Sequence, residues 1–272
     1  MAGNPFDLTG RVALVTGCGS AQGIGFAAAR LLSGLGAGVA ITSTTAERIE
    51  ARAAELRADG GEVSAHVADL ADRSQAFDFV AAAAEAQGPA DILVNAAGMV
   101  QTGREPISAP FGELADEALQ RELEITLKTA FHVTQAALPA MAEQRYGRVV
   151  MVSSVTGPLV TAPGSSAYAT AKAGLDGMMR TIALEYGRLG VTANSVAPGW
   201  IATASSTPAE LEAGRHTPVG RPGTAAEVAG LIAYLASESA SYLTGQSLVV
   251  DGGNVIQEPH GLDLYGQANP SA

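Results

Sequence analysis

Short apolar segments rich in β-branched residues alternate along the chain with longer segments whose apolar positions recur at helical spacing. The short segments are apolar on both faces, as the strands of a parallel sheet that is covered on each side must be. Regular alternation of strand and helix predicts an α/β fold, a doubly wound parallel sheet of about seven strands with helices on both faces. The predicted strands are Val12–Thr16, Val39–Thr42, Glu62–Val67, Ile92–Asn95, Val149–Ser153, Thr192–Ala197 and Ser247–Val250, and the predicted helices are about Gly23–Leu35, Ala46–Asp59, Ser74–Ala86, Leu114–Gln144, Ser166–Arg188 and Thr224–Ala236.

Composition narrows the class of protein. The 272 residues are 47% hydrophobic and only 16% charged, below the roughly 25% typical of globular domains, which excludes intrinsic disorder. No apolar run reaches about 18 residues without interruption, and residues 1–10 lack a secretory signal, so we expect a cytoplasmic protein with no membrane partner. The formal net charge of −11 repels phosphate backbones and argues against a nucleic-acid partner. The single cysteine excludes an intramolecular disulfide and a multi-cysteine zinc site.

A glycine-rich turn follows the first predicted strand and opens the first helix, with the spacing T-G-x5-G-I-G. In a doubly wound sheet, ligands bind outside the carboxyl ends of the strands, and glycines there allow the backbone to approach a pyrophosphate. The alternative is a tight turn with a structural role alone. The residues predicted to contact a dinucleotide here are Gly17, Ser20, Gly23, Ile24 and Gly25.

The end of the second predicted strand carries no carboxylate, since residues 31–46 include neither Asp nor Glu. An acidic residue at this place would bind the ribose hydroxyls of NAD, whereas hydroxyls and an arginine can hold a 2′-phosphate. Ser43, Thr44 and Arg48 therefore favour NADP(H), with NAD(H) as the alternative cofactor. Ser43, Thr44 and Thr45 are equally suited to capping the following helix.

Three further groups stand at predicted strand ends: Asn95-Ala-Ala-Gly98, Ser153-Ser154, and Tyr168-Ala-Thr-Ala-Lys172. Tyr168 and Lys172 are four residues apart, which places them on one helix face about 5–6 Å apart at Cβ. A lysine ammonium beside a phenol favours the phenolate, so we expect the pKa of Tyr168 to be drawn toward neutrality. Ser154 can donate a hydrogen bond to a carbonyl oxygen. A buried tyrosine beside a snorkelling lysine is the structural alternative.

Taken together, these motifs resemble the classical short-chain dehydrogenase/reductase family, in its branch similar to 3-oxoacyl-carrier-protein reductases. The resemblance spans about Leu8 to Asn254 and includes Asn194-Ser-Val-Ala-Pro-Gly199 and Tyr242-Leu-Thr-Gly-Gln246. It implies a Rossmann-type NAD(P)-binding catalytic domain over residues 1–254, followed by a tail at 255–272 that is either disordered or laid over a neighbouring subunit. It also implies a homotetramer or homodimer formed through the two longest helices.

The resemblance also implies roles for individual residues. Tyr168 is the general acid/base, Lys172 holds the nicotinamide ribose and tunes the tyrosine, and Ser154 positions the substrate. No metal takes part in the interconversion of a ketone or aldehyde and an alcohol by hydride transfer. Further cofactor contacts are implied for Asp69 and Leu70 at the adenine, for Asn95, Ala96 and Gly98, and for Pro198, Gly199, Ile201 and Thr203 along the nicotinamide.

The sequence departs from the family pattern at three places. The glycine turn is two residues longer than usual, and the serine-to-tyrosine spacing is one residue longer. Thr126, in Glu124-Ile-Thr-Leu-Lys128, occupies the place of an asparagine whose backbone holds a water that relays protons to the lysine. Because a threonine backbone offers the same carbonyl, we expect an active enzyme with a perturbed relay.

The substrate is left open among a 3-oxoacyl thioester, a sugar or a polyol. Arg145 resembles one of two arginines that bind an acidic carrier, but the net charge of −11 opposes such a partner. Arg104, Arg215 and His216 are candidates for binding an anionic or polyol substrate from the rim segments at 99–112 and 204–217. A different class of function, a weakly active or inactive dinucleotide-binding regulator, is the alternative that Thr126 keeps open.

Overall fold

A computed structural model describes residues 4–98 and 107–257 of the chain. Seven parallel strands form the central sheet in the order β3-β2-β1-β4-β5-β6-β9, which confirms the predicted doubly wound α/β fold. A separate pair of two-residue strands, β7 and β8, lies beyond its carboxyl edge. The strands are β1 Val12–Val15, β2 Gly38–Ser43, β3 Val63–Val67, β4 Ile92–Asn95, β5 Gly147–Val152, β6 Val191–Pro198, β7 Ile201–Ala202, β8 Gly223–Thr224 and β9 Ser247–Val250.

Helices cover both faces of the sheet, and each face has its own apolar core. Successive strand residues alternate between these cores: Ala13 and Val15 face one, and Leu14 faces the other. Helices α1, α2 and α8 pack on the first face, and α3, α5 and α6 pack on the second. The helices are α1 Ile24–Gly34, α2 Ala46–Ala58, α3 Arg73–Gln87, α4 Asp116–Glu122, α5 Thr129–Gln144, α6 Ser166–Tyr186, α7 Pro208–Arg215 and α8 Ala225–Ala236.

The predicted helix Leu114–Gln144 is the main difference from the sequence analysis. It begins at Asp116 and is interrupted by a π-helical segment, Leu123–Lys128, between α4 and α5. Such segments insert one extra residue per turn and are frequent at functional sites. The apolar periodicity on either side carries no mark of this insertion, so the pattern predicted one continuous helix.

Helix α7 was not predicted, although its start carries a readable signal. Thr207 caps the helix and accepts a hydrogen bond from the Glu210 backbone, while the Glu210 side chain accepts one from the Thr207 backbone at 2.7 Å. Pro208 fills the first helical position, where a missing N–H carries no cost. The capping box and proline define a helix that is too short for hydrophobic periodicity to reveal.

The carboxyl-terminal segment is described only as far as residue 257. Asn254–Ile256 forms a 3-10 turn, and Gln257 Nε2 donates a hydrogen bond to the His216 carbonyl at 3.1 Å. The remainder of the predicted tail, 258–272, lies outside the described residues. Across the described ranges, none of the helices combines the length and the apolar character that crossing a membrane requires.

Candidate active site

Tyr168 and Lys172 lie in the first two turns of α6, beside the carboxyl end of β5. Lys172 is 4% exposed, and its Nζ lies 5.6 Å from the centroid of the Tyr168 ring. The same ammonium donates a hydrogen bond to the Val152 carbonyl at 2.8 Å, while Ser153 Oγ donates to the Lys172 carbonyl at 3.1 Å. These two bonds attach the start of α6 to the end of β5 and fix the lysine beside the phenol.

Ser154 directly follows this attachment and is buried. Its Oγ accepts a hydrogen bond from the Thr156 backbone at 3.1 Å, and it also forms a hydrogen bond with Tyr168. The next amide, that of Val155, donates to the Pro198 carbonyl at the end of β6. The structure therefore brings together the serine, tyrosine and lysine that the sequence analysis selected.

The pKa of Tyr168 is raised to about 12, chiefly because burial disfavours the phenolate. The Ser154 hydrogen bond lowers this pKa, whereas the negative charges of Glu122 and Glu210 raise it further. The direction is opposite to the one expected from sequence, because the burial of the phenol is the dominant effect; burial also lowers the pKa of Lys172, to about 8. The phenol of Tyr168 is therefore held in its protonated form at neutral pH.

Thr126 lies in the π-helical segment and is completely buried. Its Oγ1 donates a hydrogen bond to Glu122 Oε1 at 2.7 Å, so the hydroxyl is already engaged. Gly98, at φ +137°, lies so close that an added Cβ would stand 3.3 Å from Thr126 Oγ1. Thr126 thus connects the predicted Asn95–Gly98 segment to a buried carboxylate.

Two buried carboxylates near Lys172 were not predicted from the sequence. Glu122 is 2% exposed and Asp176 is 1% exposed, and both raise the pKa of Lys172, against the larger effect of burial. A signal was present in their spacing. Asp176 stands four residues after Lys172, so helical periodicity places the two on one face of the helix. Glu122 stands four residues before Thr126 and shares a face with it in the same way.

The glycine turn after β1 makes two close backbone approaches. A Cβ on Gly17, at φ +72°, would lie 2.7 Å from the Ala96 carbonyl oxygen, and one on Gly25 would lie 2.7 Å from that of Thr16. Thr16 Oγ1 accepts hydrogen bonds from the Ala96 and Ala97 amides at 3.0 and 2.9 Å. The turn and the segment after β4 are therefore held as one unit that tolerates no side chains at these glycines.

The start of α1 is open to a ligand. Gly23 occupies the N-cap position with no side-chain cap, and the first turn contains no acidic residue. The amides from Ile24 onward begin the helix, and the Gly23 amide closes the loop by donating to the Ser20 carbonyl at 3.1 Å. Uncapped N–H groups and the positive end of the helix dipole favour an anion, so these residues fit a dinucleotide pyrophosphate.

The end of β2 lies against this turn. A Cβ on Gly19 would stand 3.1 Å from Ser43 Cβ and 3.8 Å from Arg48 Cβ, which shows how closely the two segments approach. Thr44 and Arg48 are exposed, and within residues 4–98 and 107–257 Arg48 forms no ion pair. Thr45 is the N-cap residue of α2 but makes no capping hydrogen bond. The capping interpretation is therefore wrong for Thr45, while Ser43 Oγ bonds locally to the Thr45 amide and carbonyl.

Comparison with known proteins identifies the family. The family model described as enoyl-(acyl carrier protein) reductase matches residues 17–254. The chain is 37% identical over 263 residues to oxidoreductase UcpA from Salmonella typhimurium, covering 92% of this chain and 97% of that protein. The chain belongs to the short-chain dehydrogenase/reductase family. It is thus an oxidoreductase that acts with a nicotinamide dinucleotide.

Two more short-chain dehydrogenases/reductases support the same assignment. The chain is 37% identical to the 3-oxoacyl-[acyl-carrier-protein] reductase FabG of Thermotoga maritima over 254 residues, covering 92% of this chain and 99% of that protein. A solved short-chain dehydrogenase/reductase variant from Serratia marcescens superposes with a TM-score of 0.82 at 34% identity, covering 92% of this chain and 99% of the other. Both likenesses extend over nearly the whole catalytic domain.

The other cofactor residues expected of a short-chain dehydrogenase/reductase occupy different environments. Asp69 is exposed and Leu70 is buried after β3. Asn95 is buried, and its Nδ2 donates a hydrogen bond to Thr134 Oγ1 at 2.9 Å. This bond fixes the Asn95–Gly98 segment from the core of the protein. At the end of β6, a Cβ on Gly199, next to Pro198, would lie 2.6 Å from Asp251 Cβ. Ile201 is in β7, and Thr203 forms hydrogen bonds with Ser205 and Ser206.

Cations proposed for the substrate are largely engaged elsewhere. Arg215 pairs with Glu212 at 3.1 Å, and His216 Nε2 lies 3.5 Å from the same carboxylate. Arg145 ends α5 at the amino edge of the sheet and donates to the Arg188 carbonyl at 2.9 Å. Arg104 and most of its rim segment, 99–106, lie outside the described residues. No group of three or more metal-ligating side chains occurs in the described part of the chain.

Proposed function

We propose that this enzyme is an NADP(H)-dependent oxidoreductase that interconverts a ketone or aldehyde and the corresponding alcohol. One observation carries the proposal: the Ser154 hydroxyl, the Tyr168 phenol and the Lys172 ammonium converge where β5 meets α6. The tyrosine provides a proton donor for the substrate oxygen, and the serine provides a hydroxyl that can hydrogen-bond to that oxygen. The lysine provides a cation beside the phenol.

Tyr168 is the general acid in the direction of reduction. Since burial keeps its phenol protonated, it can give a proton to the substrate oxygen as the carbonyl carbon accepts a hydride. Ser154 donates a hydrogen bond to the same oxygen and so orients the carbonyl. A bound nicotinamide dinucleotide supplies or accepts the hydride.

Lys172 supports this transfer from behind the phenol. Its ammonium already bonds the Val152 carbonyl and retains two further donor hydrogens, which suit a ribose hydroxyl. The Thr126 hydroxyl already donates its hydrogen bond to Glu122. Thr126 therefore contributes to a proton relay through its backbone carbonyl. That carbonyl already accepts a hydrogen bond from Thr129 Oγ1 at 3.3 Å and has a second lone pair for a water.

The end of β2 supports the proposed preference for NADP(H). Ser43 and Arg48 both approach Gly19 of the phosphate-binding turn, and no carboxylate stands where one would repel a 2′-phosphate. The guanidinium of Arg48 is exposed and can form charge-assisted hydrogen bonds with such a phosphate. NAD(H) would bind the same glycine turn without the contact between Arg48 and a 2′-phosphate.

For the substrate we propose a small or medium ketone, including sugar-derived ketones. A relative named as a 3-oxoacyl-[acyl-carrier-protein] reductase makes a 3-oxoacyl thioester the second class to test. The net charge of −11 and the engagement of Arg145 with a backbone carbonyl disfavour an acidic carrier protein.

The decisive experiment is a screen of ketones, aldehydes, alcohols, polyols and a 3-oxoacyl thioester with NADPH, NADH and the oxidised cofactors. Turnover with at least one carbonyl compound, lost in Tyr168→Phe, is the expected result. Tight cofactor binding with no turnover in either direction would instead favour the regulatory alternative. Near-normal turnover by Tyr168→Phe would overturn the proposed chemistry.

We also propose a homotetramer or homodimer as the active assembly. Large apolar side chains stand exposed on the two longest helices, with Phe131 on α5 at 48% and Leu184 on α6 at 85%. Self-complementary contact of these helices about a two-fold axis would cover them. Light scattering should give two or four times the chain mass of 27.4 kDa, and a mass of one chain would contradict the assembly.

A further inference from the structure

Glu122 is a buried carboxylate that the proposed chemistry does not use. It ends α4, is 2% exposed, and accepts a hydrogen bond from Thr126 Oγ1 at 2.7 Å. Burying a carboxylate is unfavourable unless an opposite charge compensates it, and one neutral hydroxyl does not suffice. A compensating cation is therefore expected on an element that packs against Glu122.

Helix α6 carries a buried cation. Both α4 and the π-helical segment pack against α6, which carries Tyr168 and Lys172. The Lys172 ammonium is almost fully buried, has one hydrogen bond to a backbone carbonyl, and forms no direct ion pair within the described ranges. Glu122 and Lys172 are thus two buried, opposite charges on adjoining elements.

Other charged groups face the same pair of residues. Asp176 acts on Lys172 from its own helix, and Glu210 of α7 acts on Tyr168. Asp176 is buried with neither carboxylate oxygen hydrogen-bonded inside the described ranges, whereas Glu210 is held in the capping box of α7. The negative charge of Glu122 raises the pKa of both Lys172 and Tyr168.

We propose that Glu122, held in place by Thr126, is a positioning residue that keeps the Lys172 ammonium charged and the Tyr168 proton on its phenol. The inference rests on the proposed function, since it assigns a role within the Tyr168–Lys172 site. A negative charge stabilises the protonated form of each neighbour, so Glu122 extends to higher pH the range in which the pair can donate a proton. The Thr126 hydrogen bond fixes the carboxylate rather than the substrate.

The test is the pH dependence of carbonyl reduction in Glu122→Gln. Glutamine keeps the size of the side chain and still accepts the Thr126 hydrogen bond, but it removes the charge. The pKa values of Lys172 and Tyr168 should then both fall, which moves the alkaline limb of the kcat profile to lower pH by about one unit. In the wild type this limb should lie near pH 8, where Lys172 loses its proton.

Matched variants separate charge from structure. Glu124→Gln removes a carboxylate two residues away that is 48% exposed and pairs with Lys128 at the surface, so its profile should match the wild type. Glu122→Asp retains the charge and should keep the alkaline limb close to its original position. Glu122→Met replaces the carboxylate with an apolar side chain that a buried site tolerates well, and it should reproduce the shift if Glu122→Gln fails to fold.

The outcomes are distinct. A shift in both charge-free Glu122 variants, absent from Glu124→Gln, supports the proposal. A folded Glu122→Gln or Glu122→Met whose rate falls equally at every pH, or does not change, overturns it and leaves Glu122 a structural role. Because Tyr168→Phe tests the acid itself, an inactive Tyr168→Phe with unshifted Glu122 variants rejects this inference alone, whereas an active Tyr168→Phe rejects the proposed function.

Discussion

The two edges of the central sheet both contain buried or half-buried charge, but they use it differently. At the amino edge, Arg11 pairs with Asp91 at 3.0 Å, and Arg148 pairs with Glu238 at 3.2 Å. The two guanidinium groups lie 3.6 and 4.3 Å from the centroid of the Tyr146 ring. Each of these two cations therefore has both an anion and an aromatic face as partners.

At the carboxyl edge the corresponding groups are only partly matched. Lys172 shares its surroundings with two carboxylates but hydrogen-bonds to a backbone carbonyl, and the start of α1 has no cap. These donors retain capacity for a further hydrogen-bond partner, either water or a ligand. The amino edge is therefore stabilised by paired charges, whereas the carboxyl edge keeps hydrogen-bonding capacity for the cofactor and substrate proposed above.

The largest expected effect is on activity, when the tyrosine at each edge is replaced by phenylalanine. Tyr168→Phe should lower kcat/KM by at least about a hundredfold, because it removes the proposed proton donor and keeps the ring. Tyr146→Phe is the matched control, since its ring still lies against both arginines, and its rate should stay near the wild-type value. Circular dichroism should show both variants folded. Comparable loss of activity in the two variants would break the distinction between the edges.

The next effect concerns cofactor choice at the end of β2. NADPH should give a higher kcat/KM than NADH, since a charge-assisted bond to the 2′-phosphate contributes roughly 1.5–3 kcal/mol, or about ten- to a hundredfold. Arg48→Ala should reduce this ratio, and Ser43→Asp should reverse it by repelling the phosphate. Arg57→Ala, which removes an exposed arginine from the far end of α2, is the control. A wild type that prefers NADH, with a ratio unaffected by Arg48→Ala, would refute the assignment.

Much of the carboxyl edge could be predicted because its chemistry is local in sequence. Strand ends in a doubly wound sheet meet at one edge, so Ser154, Tyr168 and the glycine turn could be placed there from the order of elements alone. The relation of Tyr168 to Lys172 needed only helical spacing. The fold followed from the alternation of apolar runs.

The pKa of Tyr168 could not be predicted in the same way. Its direction depends on how deeply α6 is buried and on carboxylates from α4 and α7, which are 46 and 42 residues away in sequence. The π-helical segment lies where α4 and α6 pack against each other. The periodicity within one element does not encode packing between elements.

A stability prediction tests the amino edge directly. Asp91→Ala removes the acceptor for the Val12 amide at 2.9 Å and the partner of Arg11. An unsatisfied buried donor costs about 1–3 kcal/mol, so thermal denaturation should show a lower Tm. Activity per folded molecule at 25 °C should be unchanged because the edge touches neither cofactor nor substrate. Selective loss of cofactor affinity, with the Tm preserved, would show that this edge is not purely structural.

The smallest expected effect compares two helix starts. Unlike α1, helix α8 is closed by a capping box, in which Thr224 Oγ1 accepts from the Glu227 amide at 3.2 Å and the Glu227 carboxylate accepts from the Thr224 amide at 2.8 Å. Arg221 pairs with the same carboxylate, and together these contacts lower the pKa of Glu227 to about 2. Because the Glu227 amide is capped and the Glu227 carboxylate already stands at this helix start, the start does not favour a further anion.

Thr224→Ala should therefore destabilise the protein by about 1 kcal/mol without altering cofactor affinity. The measurements are chemical denaturation at pH 7 and fluorescence titration with NADPH. Thr224→Ser retains the capping oxygen and should keep most of the stability. If Thr224→Ala weakened NADPH binding as much as it weakened the fold, the start of α8 would contribute to cofactor binding, as the start of α1 is proposed to do. The contrast between the capped start of α8 and the uncapped start of α1, which is proposed to bind the cofactor, would then fail.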